Sequence, residues 1–310
     1  MEMDQIQHKY VDVRGLKLHV AEIGSGPVVV FLHGFPEIWY SWRYQMIAVA
    51  NAGYRAIAPD LRGYGLSEQP PEPEKASFDD LTADLLAMID CLGIPKVFLV
   101  GKDFGVQPVY TFAILHPERV SGIVTIGVPF IAPGVLRHDL IPKGFYMRRW
   151  REPGRAEADF GRFDVKTVLR YIYILFSGSE LQVAGDNQEI LDLVDPSTPL
   201  PPWFTEDDLK AYTSLYEKSG LHFPLQIPYR SWVEVPSAGA RIEVPTLVIM
   251  GGKDYFLKFP GIEDYFESGK VKDHVSDLEI TFLPEGTHFV QEQLPDQVNP
   301  LIVAFLNKRT

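Results

Sequence analysis

The sequence predicts an α/β fold, in which a mostly parallel sheet carries helices on both faces. Short runs of consecutive apolar residues, rich in Val and Ile, occur up to residue 126 and again from residue 246. Such runs are typical of strands that are buried on both faces. Helical segments separate most of them, which is the spacing of strand–helix–strand units. From about residue 130 to 240 there are helical segments and Pro-rich or Gly-rich loops but no such run.

Eight strands follow from these patterns. The first two, at 10–13 and 16–22, are separated by Arg14-Gly15 and are expected to form a hairpin. The other six are predicted at 28–32, 54–59, 97–100, 120–126, 246–250 and 278–283. Since helices separate most of these six, we expect them to be mainly parallel.

The helical segments and their positions predict how the chain is divided into domains. Helices are predicted at 39–51, 78–92, 106–116, 164–176, 205–218 and 297–308. The helix at 78–92 is amphipathic and is followed by Gly93, which suits a helix C-terminus. The stretch from 130 to 240 is too long for an ordinary connection. We therefore predict a helical lid domain of residues 130–240, inserted into a core domain of residues 1–129 and 241–310.

Composition excludes several classes of partner. The chain has 310 residues, a net charge of −12 and a pI near 5.1. This charge argues against nucleic acid or an anionic membrane, because both would repel the protein. No apolar run reaches membrane-spanning length, and no secretion signal is recognisable. We expect a cytoplasmic monomer or homodimer. The single cysteine, Cys91, fits a reducing compartment and is predicted to be a buried packing residue.

The most informative stretch is Gly101-Lys102-Asp103-Phe104-Gly105, which joins the strand at 97–100 to the helix at 106–116. Glycines two positions before and after Asp103 permit a sharp turn that has no room for Cβ atoms. This is the nucleophile elbow, usually written G-x-S-x-G, with Asp in place of Ser. A carboxylate that attacks a saturated carbon forms an alkyl ester, which water can cleave at the carbonyl of the enzyme. Asp103 therefore indicates displacement at a saturated carbon, unless it only caps the following helix.

Two further residues follow strands in the same way. The stretch Gly251-Gly-Lys-Asp254 comes directly after the strand at 246–250, and His288 follows the strand at 278–283. Because the carboxyl ends of parallel strands lie at one edge of a sheet, both side chains are expected near Asp103. The order nucleophile, acid, histidine is the one expected for this architecture. Separately, either residue would more often be structural, but together they predict a catalytic triad.

In combination these motifs resemble those of the epoxide hydrolases with an α/β-hydrolase fold, most closely the soluble epoxide hydrolases of plants. The resemblance covers essentially the whole chain. It rests also on His33-Gly-Phe-Pro-Glu37, the loop Asp60-Leu-Arg-Gly-Tyr-Gly-Leu-Ser67, Tyr146 upstream of Glu152-Pro-Gly154, and Tyr229-Arg230. Many relatives carry His and Trp beside the nucleophile, where this chain has Lys102 and Phe104. We expect these two departures to affect the shape of the pocket rather than the chemistry.

The motifs and the resemblance together imply a set of roles. Asp103 is the nucleophile, His288 the general base, and Asp254 the residue that orients the histidine. By the resemblance, Tyr146 and Tyr229 hold the epoxide oxygen and donate a proton to it. Since the loop after the strand at 28–32 lies beside the elbow, the backbone N–H groups of Phe35 and Phe104 can form an oxyanion hole. Residues expected to contact the substrate are His33, Pro36, Trp150 and Phe289.

The predicted activity is conversion of a lipophilic epoxide and water to a vicinal diol, with no metal or organic cofactor. One alternative is a haloalkane dehalogenase, which uses the same aspartyl ester. That enzyme needs side-chain N–H donors for the halide, and the side chains of Phe35 and Phe104 have none. The other alternative is a non-catalytic small-molecule receptor on the same fold, which would not require the complete set of catalytic residues.

Overall fold

All eight predicted strands are found in the computed structural model, which describes residues 1–231 and 239–310. They are β1 (Gln7–Val13), β2 (Leu16–Gly24), β3 (Val28–Leu32), β4 (Arg55–Pro59), β5 (Val97–Lys102), β6 (Val120–Ile126), β7 (Thr246–Gly251) and β8 (Leu278–Leu283). They form a sheet in the order β1-β2-β4-β3-β5-β6-β7-β8. The pairs β1–β2 and β2–β4 are antiparallel, and the remaining neighbours are parallel. The mostly parallel eight-stranded sheet is therefore confirmed.

The helices lie between and beyond these strands. They are α1 (Arg43–Asn51), α2 (Phe78–Cys91), α3 (Val106–Leu115), α4 (Tyr146–Arg151), α5 (Arg155–Phe160), α6 (Val165–Phe176), α7 (Glu206–Ser219), α8 (Ile262–Glu267), α9 (Val290–Gln293) and α10 (Pro295–Asn307). A π-helical turn covers Gln226–Arg230. The closing helix begins at Pro295, two residues before the predicted start, because proline suits the first turn of a helix, where no N–H is needed.

Strand β3 shows why the buried strands are continuously apolar. Val28, Val30 and Leu32 belong to the core on one side of the sheet, together with residues of α2 and α3. Val29 and Phe31 belong to the core on the other side, with residues of α1 and α10. Alternate side chains of a strand point to opposite faces, so a strand that is covered on both sides needs an apolar residue at every position.

The chain between β6 and β7, residues 127–245, is called the insertion here. Its described part contains α4 to α7 and the π-helical turn. Buried polar bonds join it to the rest of the protein. The Arg43 guanidinium on α1 donates to Asp208 on α7 at 3.0 Å and to Glu292 on α9 at 2.7 Å. The Tyr212 hydroxyl of the insertion also donates to Glu292. That residues 130–240 form a separate lid domain stays a prediction.

Cys91 is exposed, so the prediction that it is a buried packing residue is wrong. It is the last residue of α2, and it lies outside the apolar stripe that includes Leu81, Leu85 and Met88, which the helix turns toward the sheet. Within the described residues, no helix combines the length and the apolar character needed to cross a membrane.

Candidate active site

Asp103 lies at the sharp turn between β5 and α3, with a φ of 53°. Few residues other than glycine adopt this left-handed conformation, and it often marks a functional site. A Cβ atom on Gly101 would lie 2.8 Å from the carbonyl oxygen of Gly105. One on Gly105 would lie 2.5 Å from the carbonyl oxygens of Leu32 and His33. The turn therefore requires both glycines. No side chain caps the start of α3, so the capping alternative for Asp103 does not hold.

The structure brings Asp103, Asp254 and His288 together at the carboxyl edge of the sheet. The Nδ1 atom of His288 lies 3.2 Å from each carboxylate oxygen of Asp254. Its Nε2 atom lies 3.4 Å from Oδ2 of Asp103. The side chain of Asp254 is 1% exposed and that of His288 is 3% exposed, whereas that of Asp103 is 21% exposed. Of the three residues, Asp103 is thus the most accessible from outside.

The charges in this cluster alter the pKa values of two of its members. Burial and the Lys102 ammonium lower the pKa of His288, but the carboxylates of Asp254 and Asp103 outweigh them and raise it to about 8. Burial raises the pKa of Asp103, but His288, Lys102 and a backbone hydrogen bond from Phe104 lower it to about 2. Asp103 is therefore an anion at neutral pH, which is the form a nucleophile needs.

Backbone N–H groups stabilise one oxygen of the Asp103 carboxylate. The N–H of Phe35 donates to Oδ1 at 3.2 Å, and the backbone of Phe104 also contributes a hydrogen bond to this carboxylate. The peptide bond between Phe35 and Pro36 is cis. These two N–H groups, predicted as the oxyanion hole, thus already contact the residue on which an oxyanion would form.

Asp103 and His288 open into a cavity of about 1090 Å³, a volume that includes its opening to solvent. Tyr146 and Tyr229 from the insertion also line it. Burial, followed by the Asp103 charge, raises the pKa of Tyr146. Burial, Tyr146 and Asp103 raise that of Tyr229. Both tyrosines are therefore neutral hydroxyl groups at physiological pH and can donate hydrogen bonds.

The side chain of Arg230 connects the segments that carry the two tyrosines. Arg230, next to Tyr229 in the π-helical turn, donates to both carboxylate oxygens of Glu157 on α5, at 2.5 and 2.7 Å. It also donates to the backbone carbonyl of Trp150 on α4 at 3.2 Å. Since Tyr146 is the first residue of α4, Arg230 connects the segment of one tyrosine to the segment of the other. A two-pronged arginine–carboxylate pair is specific in geometry as well as strong.

Comparison with known proteins agrees with this architecture. Residues 27–259 match the family model of the alpha/beta hydrolase fold. The chain is 36% identical to epoxide hydrolase 2 of Siraitia grosvenorii, over 99% of this chain and 100% of that protein. It superposes on an epoxide hydrolase from Vigna radiata with a TM-score of 0.91, 37% identity and 99% coverage of both chains. For potato (Solanum tuberosum) epoxide hydrolase I, the TM-score is 0.88 and the identity 32%, with 98% of this chain and 99% of that one covered.

The chain belongs to the epoxide hydrolases of the alpha/beta hydrolase fold. The fold class and the family resemblance that the sequence indicated are thus confirmed.

The four residues expected to contact the substrate in this enzyme do not line the cavity. His33 is fully buried, and its Nε2 accepts a hydrogen bond from the backbone N–H of Leu61. Pro36 is buried as well. Trp150 packs behind Tyr146 and Tyr229, and Phe289 stacks on Tyr173. All four are buried away from the cavity surface, so the expectation of direct contact is corrected.

The two residues beside the nucleophile have different positions in the enzyme. Phe104 lines the cavity, as expected. Lys102 does not, because it ends β5 and points into the interior, where it is fully buried. Its ammonium lies 3.4 Å from Oε1 of Glu37 and 4.7 Å from the ring centroid of Phe289. Lys102 therefore affects the site through its charge and not through the shape of the pocket.

Two further residues of the enzyme's site were not predicted from the sequence. Tyr255 lines the cavity, and its position directly after Asp254 at a strand end was a signal that could have revealed it. Glu37 is fully buried beneath the site, where its carboxylate accepts from the N–H of Gly34 at 3.1 Å and from Gln291 at 2.8 Å. Its motif was recognised, but nothing in the sequence indicated that it would face a buried lysine.

Proposed function

We propose that this enzyme converts a lipophilic epoxide and water to a vicinal diol through an alkyl ester on Asp103. One observation carries the proposal: an ionised carboxylate at a strained turn shares one cavity with two neutral tyrosine hydroxyls. The carboxylate can attack carbon, and the hydroxyls can stabilise and protonate the oxygen that leaves it.

In the first step, Oδ2 of Asp103 attacks an epoxide carbon. We assign the attack to this oxygen because Oδ1 accepts from the N–H of Phe35 and remains in place as the carbonyl oxygen of the ester. The carbon–oxygen bond of the epoxide breaks, and its electron pair moves to the oxygen. That oxygen takes a proton from a tyrosine hydroxyl, so no free alkoxide is released into an apolar cavity.

In the second step, Nε2 of His288 takes a proton from water, and the resulting hydroxide attacks the ester carbonyl. The tetrahedral intermediate then breaks its bond to the alkyl oxygen, which takes the proton from the His288 imidazolium and leaves as the second hydroxyl of the diol. In the resting enzyme, the negative charge of Asp103 raises the pKa of His288. Esterification removes that charge. The pKa of His288 therefore falls below its resting value of about 8 once the ester forms, so the imidazolium releases its proton to solvent and becomes the neutral base that this step needs. Asp254 stabilises the imidazolium, while the N–H groups of Phe35 and Phe104 stabilise the oxyanion.

The cavity wall supports a lipophilic substrate. Apart from the groups already described, the residues that line it are mainly apolar, including Val106, Val128, Phe130, Ile131, Leu136, Met147, Phe256 and Phe259. Such a wall offers few partners for polar substituents, so the epoxide ring is expected to be the main polar group of the substrate.

A single turnover in ¹⁸O-labelled water tests the ester directly, with enzyme in excess over a styrene-type oxide. The diol of the first turnover should carry only light oxygen, because its new oxygen comes from Asp103, and later turnovers should incorporate ¹⁸O. Heavy oxygen in the first diol would mean that water opens the ring itself. With a haloalkane in place of the epoxide, no halide should be released.

The His288→Gln variant provides a second readout of the same proposal. It retains the nucleophile and both tyrosines, so it should form the ester but fail to hydrolyse it. Intact-protein mass spectrometry should therefore show an adduct of the mass of the epoxide. His116→Gln, which changes a partly exposed histidine after α3, is the matched control and should turn over normally.

A further inference from the structure

Tyr255 places a third hydroxyl group beside the two tyrosines that line the cavity. It follows Asp254 directly, is 4% exposed and lines the cavity. Its hydroxyl oxygen lies 2.9 Å from that of Tyr146. Its ring centroid lies 5.0 Å from that of His288. Tyr255 thus connects the strand end that carries Asp254 to the segment of the insertion that carries Tyr146.

This contact makes the two tyrosines of the insertion unequal. The Tyr146 hydroxyl has Tyr255 as its partner, whereas the Tyr229 hydroxyl makes no hydrogen bond with any residue in 1–231 or 239–310. The two rings are nevertheless close, with centroids 5.9 Å apart. Among the described residues, one of the two hydroxyls therefore has a hydrogen-bond partner before the substrate arrives, and the other has none.

A phenol has one proton and can also accept a hydrogen bond. If Tyr146 donates its proton to an epoxide oxygen, its contact with Tyr255 must run in the other direction, with Tyr255 as the donor. Burial and the Asp103 charge raise the pKa of Tyr146, and the hydrogen bond with Tyr255 acts against them. A donor aimed at Tyr146 thus makes its proton easier to transfer, because hydrogen bonds to a charged oxygen are stronger than those to a neutral one.

We infer that Tyr255 is a positioning residue for ring opening: its hydroxyl donates to the oxygen of Tyr146, directs the Tyr146 proton toward the epoxide and stabilises that oxygen as the proton leaves. The inference rests on the proposed function. The proton of Tyr255 stays on Tyr255. The proton that Tyr146 gives to the substrate is replaced, by the end of the turnover, by the second proton of the attacking water, which Asp103 releases when its carboxyl group ionises again.

The Tyr255→Phe variant removes the hydroxyl and keeps the ring that packs against His288. A lost hydrogen bond to a developing charge corresponds to a rate loss of about 10- to 100-fold. We expect a loss of this size in the rate of ester formation, measured by rapid quench and intact-protein mass spectrometry. Hydrolysis of the preformed ester should keep its wild-type rate. Tyr54→Phe is the matched control, since it removes a hydroxyl that donates to Asn307, away from the cavity.

A double-mutant cycle distinguishes this role from a packing role. In a Tyr146→Phe background the Tyr255 hydroxyl has no oxygen to support, so Tyr255→Phe should cause no further loss of rate. An equal loss in both backgrounds would overturn the inference, because the hydroxyl would then act elsewhere. Wild-type ester formation by Tyr255→Phe, or a loss confined to hydrolysis, would overturn it as well. Failure of the wild-type enzyme to form any ester would instead refute the proposed function, so the two failures can be told apart.

Discussion

The two walls of the active-site cavity hold their polar groups in different ways. On the sheet side, Asp103, Asp254 and His288 follow strands of the sheet, and tight turns fix them through the backbone. On the insertion side, Tyr146 and Tyr229 belong to a six-residue helix and a five-residue π-helical turn, which the side chain of Arg230 connects through its hydrogen bond to the Trp150 carbonyl. The charged groups thus lie on the wall where backbone turns fix the side chains. The neutral proton donors lie on the wall that depends on side-chain contacts.

Because the two walls hold different groups, formation and hydrolysis of the ester can be disturbed separately. Ester formation uses both walls, because the nucleophile lies on one and the proton donors on the other. Hydrolysis of the ester uses the sheet side alone in the proposed mechanism. Changes in the insertion should therefore slow the first step and leave the second unaffected, whereas loss of the nucleophile should abolish both.

The largest effect is expected from Asp103→Ala. Without a carboxylate at the elbow no ester can form, so diol formation should fall by about 10⁴-fold or more. The measurement is steady-state diol production, with circular dichroism to establish that the variant is folded. Activity within tenfold of the wild type would show that another group attacks the epoxide. The assignment of the nucleophile to the sheet side and of the proton donors to the insertion side would then have to be abandoned.

Removal of the tyrosine hydroxyls should have the next largest effect. General acid catalysis typically contributes about 10²- to 10⁴-fold. Tyr146→Phe and Tyr229→Phe should each slow ester formation, and the double variant should form almost no ester. In any single variant that still forms ester, its hydrolysis should proceed at the wild-type rate. Slower hydrolysis would mean that the insertion also takes part in the second step.

A smaller effect is expected from Arg230→Met, which breaks the contacts of Arg230 with Glu157 and Trp150 but leaves both tyrosines in the sequence. We expect slower ester formation, unchanged hydrolysis of the ester, and a loss of about 1–3 kcal/mol in the free energy of unfolding. Arg155→Met is the matched control. It removes another arginine of the insertion, which is paired with Glu189 and Glu152, and should not change ester formation. Equal effects of the two variants would show that Arg230 has no special role in placing the tyrosines.

The sheet side of the site could be predicted from the sequence because its signals are local. A strand followed by Gly-x-Asp-x-Gly, or by the turns that contain Asp254 and His288, indicates both the fold and the position of the side chain. On the insertion side, aromatic composition does not reveal which face of a short helix meets the cavity. Trp150 was therefore wrongly assigned to the substrate, although it packs behind the tyrosines.

Two errors on the sheet side itself have a related cause. Phe289 follows His288 but points away from the cavity toward Tyr173, and Lys102 precedes Asp103 but points toward Glu37. Neighbouring residues at a strand end face different sides, and only the packing of distant segments decides which side a residue meets. Tyr255, by contrast, directly follows Asp254 and does face the cavity. A local motif thus locates the site but does not show which neighbouring side chains line the cavity and which pack behind it.

Lys102 belongs to the sheet side and does not line the cavity. The smallest expected effect is therefore a change in the pH dependence of ester hydrolysis when its charge is removed. Its ammonium is buried near Glu37, Asp103 and His288, and it lowers the pKa of His288. Lys102→Met removes that charge, so the pKa of His288 should rise. More imidazole would then be protonated at a given pH. Since hydrolysis needs the neutral form, its rate should begin to fall at a higher pH than in the wild type.

The measurement is the rate of hydrolysis of the preformed ester as a function of pH. Lys96→Met removes the same charge from an exposed position just before β5 and should leave the profile in place, because solvent screens that ammonium. Lys102→Arg keeps the charge and should keep the wild-type profile. An unchanged profile for Lys102→Met would show that the buried ammonium stabilises the fold without tuning the base. Because Glu37 retains hydrogen bonds from Gly34 and Gln291, the variant is expected to fold, and the shift can be attributed to the missing charge.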